Sequence, residues 1–326
     1  MLSGYSVDIQ QINARFILSG LDKEEMRSLL GILKPRLNHN TEPSPRCPSI
    51  EVFKSSVQKS ALVAELASLD SNDVISCFYP EFTRHYYQGG YSQINSGSAP
   101  QPAQAHLFKD DQITFPGALG SCIGWALEQN AALLVHGLAF QYQGKGYLCV
   151  GETRAGKSTL AAAVITSGGH IVSDDLLLVG RSIDGSLLAL PLRPNIVVRE
   201  GGYQLLKDKL GSALQAVTAD TETKWALYRH QSPQYFVDET PIHHILLLER
   251  PANRQQHSWS QPASMADATT RLLVNNPGLY QRNAAETLRR FRLAADLLKT
   301  TRAHHMGTGK TLLESPAENL SSLIPD

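Results

Sequence analysis

The run Gly-Glu-Thr-Arg-Ala-Gly-Lys-Ser-Thr, residues 151–159, constrains this chain more than any other segment. It fits G-x-x-x-x-G-K-[ST], with Gly151, Gly156, Lys157 and Ser158 at the fixed positions. Gly146–Val150 before it reads as a buried strand, and the Ala-rich stretch Thr159–Gly168 after it reads as a helix. Strand, glycine-rich turn and helix form the setting in which backbone N–H groups converge on phosphate oxygens at a helix N-terminus. The spacing predicts that Gly151, Glu152, Thr153, Arg154, Ala155, Gly156, Lys157, Ser158 and Thr159 wrap the phosphates of a nucleoside triphosphate. Lys157 would reach the β- and γ-phosphates and the Ser158 hydroxyl would ligate Mg²⁺. Arg154 stands where small residues are commoner, and is read as projecting outward, the alternative being a phosphate contact from within the loop.

His170–Asp175 follows the helix after two glycines. In a βαβ unit this strand runs parallel to the preceding one, so Asp174 and Asp175 emerge at the same edge as the loop. Neighbouring strand residues point to opposite faces, which predicts different jobs for the two carboxylates. One of the pair can ligate Mg²⁺ or bridge to it through water, and the other can face the γ-phosphate and accept a hydroxyl proton. A helix cap or a solvated loop end is the plainer reading. Residues 131–142 and 146–150 flank Gln143-Gly144-Lys145-Gly146, a hairpin turn. That turn brings His136 level with the start of the loop, either to share the proton with Asp174 or to end its strand as a hydrogen-bonded core histidine.

The 326 residues, 42% hydrophobic and 18% charged, suit one large or two ordinary domains. Thirty basic and thirty acidic residues give no support for a nucleic-acid or anionic-membrane partner. No signal peptide is legible at the N-terminus, no apolar run approaches the roughly 18 residues of a membrane span, and the four cysteines form no CxxC pair. A cytoplasmic protein with reduced thiols is expected. Residues 1–115 read as a small α+β domain. Within it, Lys23–Leu33 reads as a polar helix, and 40–49 and 87–104 as loops or linkers. Residues 116–326 read as an α/β domain opening with helix 117–130 and ending in a mostly helical part that includes 284–306. Gly307–Thr311, GTGKT, is read as a turn, since no apolar strand precedes it and His304 stands where a second loop would need glycine. Neither His304-His305 nor His243-His244 has the spacing of a metal site.

Four pieces occur in order: His136-Gly137, the 151–159 loop, Ser173-Asp174-Asp175 and Leu190–Glu200. Together they resemble the HPr serine kinase/phosphorylase family over roughly residues 116–250, most of all the HPr-kinase-like enzymes of modified-peptide gene clusters, including lasso-peptide precursor kinases. The resemblance implies a P-loop core like that of ATP-dependent phosphoenolpyruvate carboxykinase. It implies ATP and Mg²⁺ as cofactors, Asp174 as base, Asp175 as metal or phosphate partner and His136 as the catalytic histidine. The glycine-rich signature of strict HPr kinases, with its metal-binding Glu, is absent. Arg193-Pro194 and Arg199-Glu200 occupy that region, as phosphate contacts or as ordinary surface arginines. The expected activity is a serine kinase acting on a peptide or small protein, and the family's hexamers make a homo-oligomer an expectation. An NTPase or switch, a nucleotide-binding module, a carboxykinase and a kinase of a small hydroxylated metabolite are the competing classes.

Overall fold

The computed structural model describes residues 4–22, 24–26, 36–39, 47–55, 75–78, 82–87, 90–95, 102–108, 117–193, 195–219, 222–249, 257–274 and 284–325. It is a mixed α/β protein of two compact units. Met1–Leu134 and Pro277–Arg290 form one, and Val135–Asn276 and Phe291–Asp326 the other.

The first unit is built on an eight-stranded sheet. In chain order the strands are β1 (Gly4–Ile9), β2 (Ala14–Ser19), β3 (Arg36–His39), β4 (Ser49–Ser55), β5 (Ile75–Phe78), β6 (Phe82–Tyr87), β7 (Gly90–Asn95) and β8 (Ala103–Phe108). In space the order is β3-β1-β2-β4-β8-β7-β6-β5, with β2, β4 and β8 parallel and the rest antiparallel. Residues 87–104, expected as a linker, therefore contribute β7 and the start of β8, because Ser92 and Ile94 alternate inward against β6 and β8. Of the expected helix 23–33, Glu24–Met26 are helical and the remainder lies outside the described residues, as does 40–46 of the expected Pro/Ser-rich loop.

Helix α1 (Gly117–Gln129) packs on β4, β7 and β8 through Ala118, Leu119, Cys122, Ile123, Ala126 and Leu127, an i, i+3/i+4 stripe. The unit boundary thus falls at 134/135, not at 115/116: the helix expected to open the second domain buries its apolar side on the first sheet. Near its end, Glu128 makes an ion pair with Arg290 at 2.8 Å, both side chains 1% exposed.

In the second unit, β9 (Leu133–His136) carries the chain into a four-stranded sheet with β13 (Leu176–Arg181), β14 (Leu187–Pro191) and β18 (Thr240–Pro241). The expected single strand 131–142 is cut at Gly137, where a Cβ would sit 2.6 Å from the Cys149 carbonyl oxygen. Beyond it, β10 (Leu138–Tyr142) joins the main six-stranded sheet with β11 (Lys145–Val150), β12 (His170–Ser173), β19 (His244–Glu249), β20 (Trp259–Pro262) and β21 (Arg302–Gly307), in the order β12-β10-β11-β19-β21-β20. Gln143 (φ 48°) and Gly144 (φ 77°) close the β10–β11 hairpin with two left-handed residues, the pattern of a type I′ turn. Strands β11, β19 and β21 are parallel, and β12 runs with them because β10 is antiparallel to both β11 and β12. All four therefore open on one edge.

Helix α2 (Lys157–Thr166) packs on this sheet, and Leu160–Ile165 are all fully buried. A second layer covers it: β15 (Asn195–Val198), α3 (Glu200–Leu210), β16 (Gln215–Ala219) and β17 (Glu222–Tyr228), with the sheet order β15-β17-β16. Further along come α4 (Met265–Val274), α5 (Ala284–Leu298), α6 (Thr311–Glu314) and α7 (Pro316–Leu323), and Leu320 and Leu323 of α7 dock into the same core as α2. The expected helix 284–306 ends at Leu298. Arg302–Gly307 is a strand because its backbone completes the parallel ladder beside β19. No helix among the described residues is long and apolar enough to cross a membrane.

Breaking the buried Glu128–Arg290 pair should expose its cost. Glu128→Ala leaves a buried guanidinium without that partner and should destabilise the protein by about 3 kcal/mol or more, read by denaturant unfolding. A loss below about 1 kcal/mol would show that the pair is not structurally important.

Candidate nucleotide and phosphoryl-transfer site

Strand β11 ends at Val150, and the chain turns through Gly151–Gly156 into α2. Gly156 precedes the helix with φ 105°, a conformation few residues but glycine adopt, and a side chain there would run into Thr308. No side chain among the described residues caps the first turn of α2, so its N–H donors are available to an anion. Lys157 folds back over the loop, and its Nζ donates to the Gly151 carbonyl at 2.6 Å and the Glu152 carbonyl at 3.2 Å. Burial lowers the Lys157 pKa, and the nearby Asp174 opposes that shift.

A cavity of about 550 Å³ opens at this edge. Of the residues singled out in the sequence, His136, Thr153, Arg154, Gly156, Lys157, Ser158, Thr159, Asp174, Asp175 and Arg199 line it. Gly151 and Ala155 are buried beneath the loop, and Glu152 faces solvent. The GTGKT segment, expected as a turn with no strand before it, instead joins two elements: Gly307 ends β21, Thr311 opens α6, and Thr308 between them lies against Gly156.

The two carboxylates lie in the bend between β12 and β13 and diverge. Asp174 faces the loop: Ser158 and Lys157 are its neighbours, and its Oδ1 is sealed from solvent without a hydrogen-bond partner among the described residues. Burial pushes its carboxyl up to about 7, against the pull of Ser158 and Lys157, and Asp175 adds to the rise. Asp175 faces the other way. Its Oδ2 takes Arg193 Nη1 at 3.0 Å and its Oδ1 lies 3.8 Å from His136 Nε2. The expectation paired His136 with Asp174; the structure pairs it with Asp175. The Gly137 N–H donates to the Asp175 carbonyl at 2.9 Å, which ties the β9–β10 junction to the strand end. Burial lowers the His136 pKa, Asp175 opposes this, and Lys157 and Arg193 reinforce it. Ser173 fixes the corner from beneath, donating to the Arg193 carbonyl and accepting the Asp175 N–H.

Ser158 with the carboxylates of Asp174 and Asp175 offers the hard oxygen donors that Mg²⁺ takes, and the sealed Asp174 Oδ1, without a hydrogen-bond partner among the described residues, fits such a cation. Arg193 reaches this corner through Asp175; Pro194 lies outside the described residues.

Three lining residues were not foreseen. Asn195 and Val197 of β15 and Lys224 of β17 share one face of the small sheet, while Ile196, Val198 and Leu227 on the other face pack toward α2. The β16–β17 hairpin supplies Lys224. Neither strand alternates polar and apolar residues, and no motif spacing marks Lys224 as part of a site.

The raised Asp174 pKa has a measurable sign. The folded state keeps a proton that the unfolded chain releases near 3.8, so wild-type stability falls as pH rises from about 4 to about 7 and levels off above. Asp174→Asn removes this slope. Thermal melts should show the variant gaining several degrees on wild type between pH 5 and pH 8, and parallel curves would mean that the carboxyl is not held protonated.

No protein-family model matches this chain, and no curated protein matches it. Among solved structures it is similar to the HPr(Ser) kinase/phosphatase from Coxiella burnetii, 16% identical with a TM-score of 0.27, over 40% of this chain and 70% of that one.

Proposed function

We propose that the chain is a phosphotransferase that moves the γ-phosphoryl group of ATP to a serine hydroxyl on a peptide or small protein. The carrying observation is Asp174, a buried carboxylate with an unpartnered oxygen and a pKa near 7, in one cavity with Lys157, Ser158 and an uncapped helix N-terminus. A carboxylate of that basicity is half-ionised at neutral pH and suited to take a proton from an attacking hydroxyl.

In this reading the first turn of α2 and the Lys157 ammonium hold the triphosphate, and Lys157 exchanges the loop carbonyls for phosphate oxygens. Asp174 accepts the hydroxyl proton while the hydroxyl oxygen bonds to the γ-phosphorus and the bond to the leaving ADP oxygen breaks. His136 and Arg193 hold Asp175. Ser158 and Asp175 would hold Mg²⁺, which when bound neutralises charge on the phosphates. A core of the HPr-kinase and phosphoenolpyruvate-carboxykinase type, a homo-oligomer and a cytoplasmic setting without nucleic acid or membrane complete the proposal. One observation favours a variant of it. Ser158 adjoins Asp174, not Asp175, so the metal would lie with Ser158 and Asp174 if the two carboxylates exchange roles.

Titration calorimetry with Mg-ATP, and mass spectrometry of serine peptides after incubation, test these assignments. Lys157→Ala should lose binding or turnover by roughly 10²-fold or more. Asp174→Asn should keep Mg-ATP affinity and lose transfer by a similar factor, whereas weakened Mg²⁺-dependent binding would give the metal role to Asp174. In the wild type, kcat/KM should rise with pH through about 7 as Asp174 loses its proton. Phosphate passing only to water, or to a small metabolite, would remove the peptide acceptor.

A further inference from the structure

Away from the catalytic carboxylates, the cavity ends in a second charged cluster. Glu222, the first residue of β17, takes Arg199 Nη1 at 2.9 Å on Oε2 and 3.3 Å on Oε1. Arg154 Nη2, from the phosphate loop, lies 3.9 Å from the same Oε1. Lys224, two residues on along β17, lines the same cavity, and its side chain has no ion pair or hydrogen bond among the described residues. Two guanidinium groups thus face one carboxylate, and the Lys224 ammonium lines the same cavity, a surplus of positive charge over the one Glu222 carboxylate.

The bonds within the cluster are weak ones. Arg154, Arg199 and Glu222 are each about half exposed, and exposed pairs of this kind add little to stability. Arg154 also holds φ 69°, in the left-handed region that a β-carbon disfavours. A strained backbone at a binding loop is maintained by its surroundings and often serves the ligand. Two guanidinium groups on one carboxylate is also the geometry with which arginines grip a phosphate.

We infer that Arg154, Arg199 and Lys224 form an anion subsite for a phosphate of the bound nucleotide, and that Glu222 fills it while no nucleotide is present. On binding, the arginines pass from the carboxylate to phosphate oxygens, and Glu222 is left facing solvent. Glu222 thereby competes with the ligand and lowers its affinity. The inference rests on the nucleotide reading above but goes beyond it, because it gives Arg154 an inward role and makes a residue outside the loop set the affinity.

Calorimetry of the full-length protein with Mg-ATP, Mg-ADP and AMP tests it, with a thermal melt as the folding control. Glu222→Gln keeps the shape, removes the charge and should tighten Mg-ATP binding about fivefold, the size that an exposed pair supports. Arg199→Ala should weaken it by about as much, and Arg154→Ala by somewhat less in view of its longer contact. In the triple variant Arg154→Ala, Arg199→Ala, Glu222→Gln the gain from Glu222→Gln should vanish. AMP, with one phosphate, should respond least. Unchanged or weaker Mg-ATP binding by Glu222→Gln, in a wild type that binds Mg-ATP through Lys157, overturns this inference and leaves the proposed function standing. A wild type that binds no nucleotide overturns both.

Discussion

The structure of the second unit follows from a helix with no polar side. Between Leu160 and Ile165 every residue of α2 is fully buried, and its sequence, Leu-Ala-Ala-Ala-Val-Ile, offers water nothing on any face. Such a helix cannot lie on a sheet with its back exposed; a second layer must enclose it. The main sheet covers one side, and the β15–β17–β16 sheet, α3 and the C-terminal α7 cover the rest. Enclosure fixes the helix axis and so aims its uncapped N-terminus at a constant point. It also creates the cavity. The small sheet that buries Ile196, Val198 and Leu227 toward α2 must turn Asn195, Val197 and Lys224 the other way, and those residues become a wall of the cavity at the N-terminus of α2.

The bend between β12 and β13 separates the charges. Asp174 and Asp175 are adjacent in the chain, yet one meets Lys157 and Ser158 and the other Arg193 and His136. Here one is desolvated and basic, and the other is held by a guanidinium at its rim. The break at Gly137 is part of the arrangement. By sending His136 into a different sheet from Leu138, the chain places the imidazole beside Asp175 instead of continuing a ladder past it.

What could be read in the sequence was local. The strand–turn–helix around Gly151–Thr159 rests on residues within one stretch, and the hairpin at Gln143-Gly144 and the parallel course of β12 follow from short connections. What could not be read depends on partners distant in the chain. Arg302–Gly307 follows a helix without glycine or proline between them, and it is a strand only because β19, more than fifty residues earlier, offers an unpaired edge. Residues 87–104 carry glycine, serine and proline in the proportions of a linker, but pairing with β6 organises their first part. The division between units escaped for a related reason. The apolar stripe of α1 shows that the helix is buried, and nothing in the stripe says against which sheet. His136 was placed at the right edge by counting along the hairpin, yet the choice between two adjacent carboxylates depends on strand twist and on Arg193, neither of which spacing encodes.

The site holds features that oppose folding. A desolvated carboxylate, a partly desolvated ammonium and an arginine in a left-handed conformation sit together at one edge, where a hydrophobic wall would be more stable. The rest of the unit compensates through burial, and the opposition is reduced if a ligand offers phosphate oxygens that Lys157 and Arg154 take in exchange for their carbonyl and carboxylate partners, and a partner for the Asp174 oxygen. Folding and binding are then linked, since whatever binds the folded state alone stabilises it in proportion to RT ln(1 + [L]/Kd). The charged groups at this edge thus cost stability that burial elsewhere in the unit supplies, and a ligand of matching charge would lower that cost.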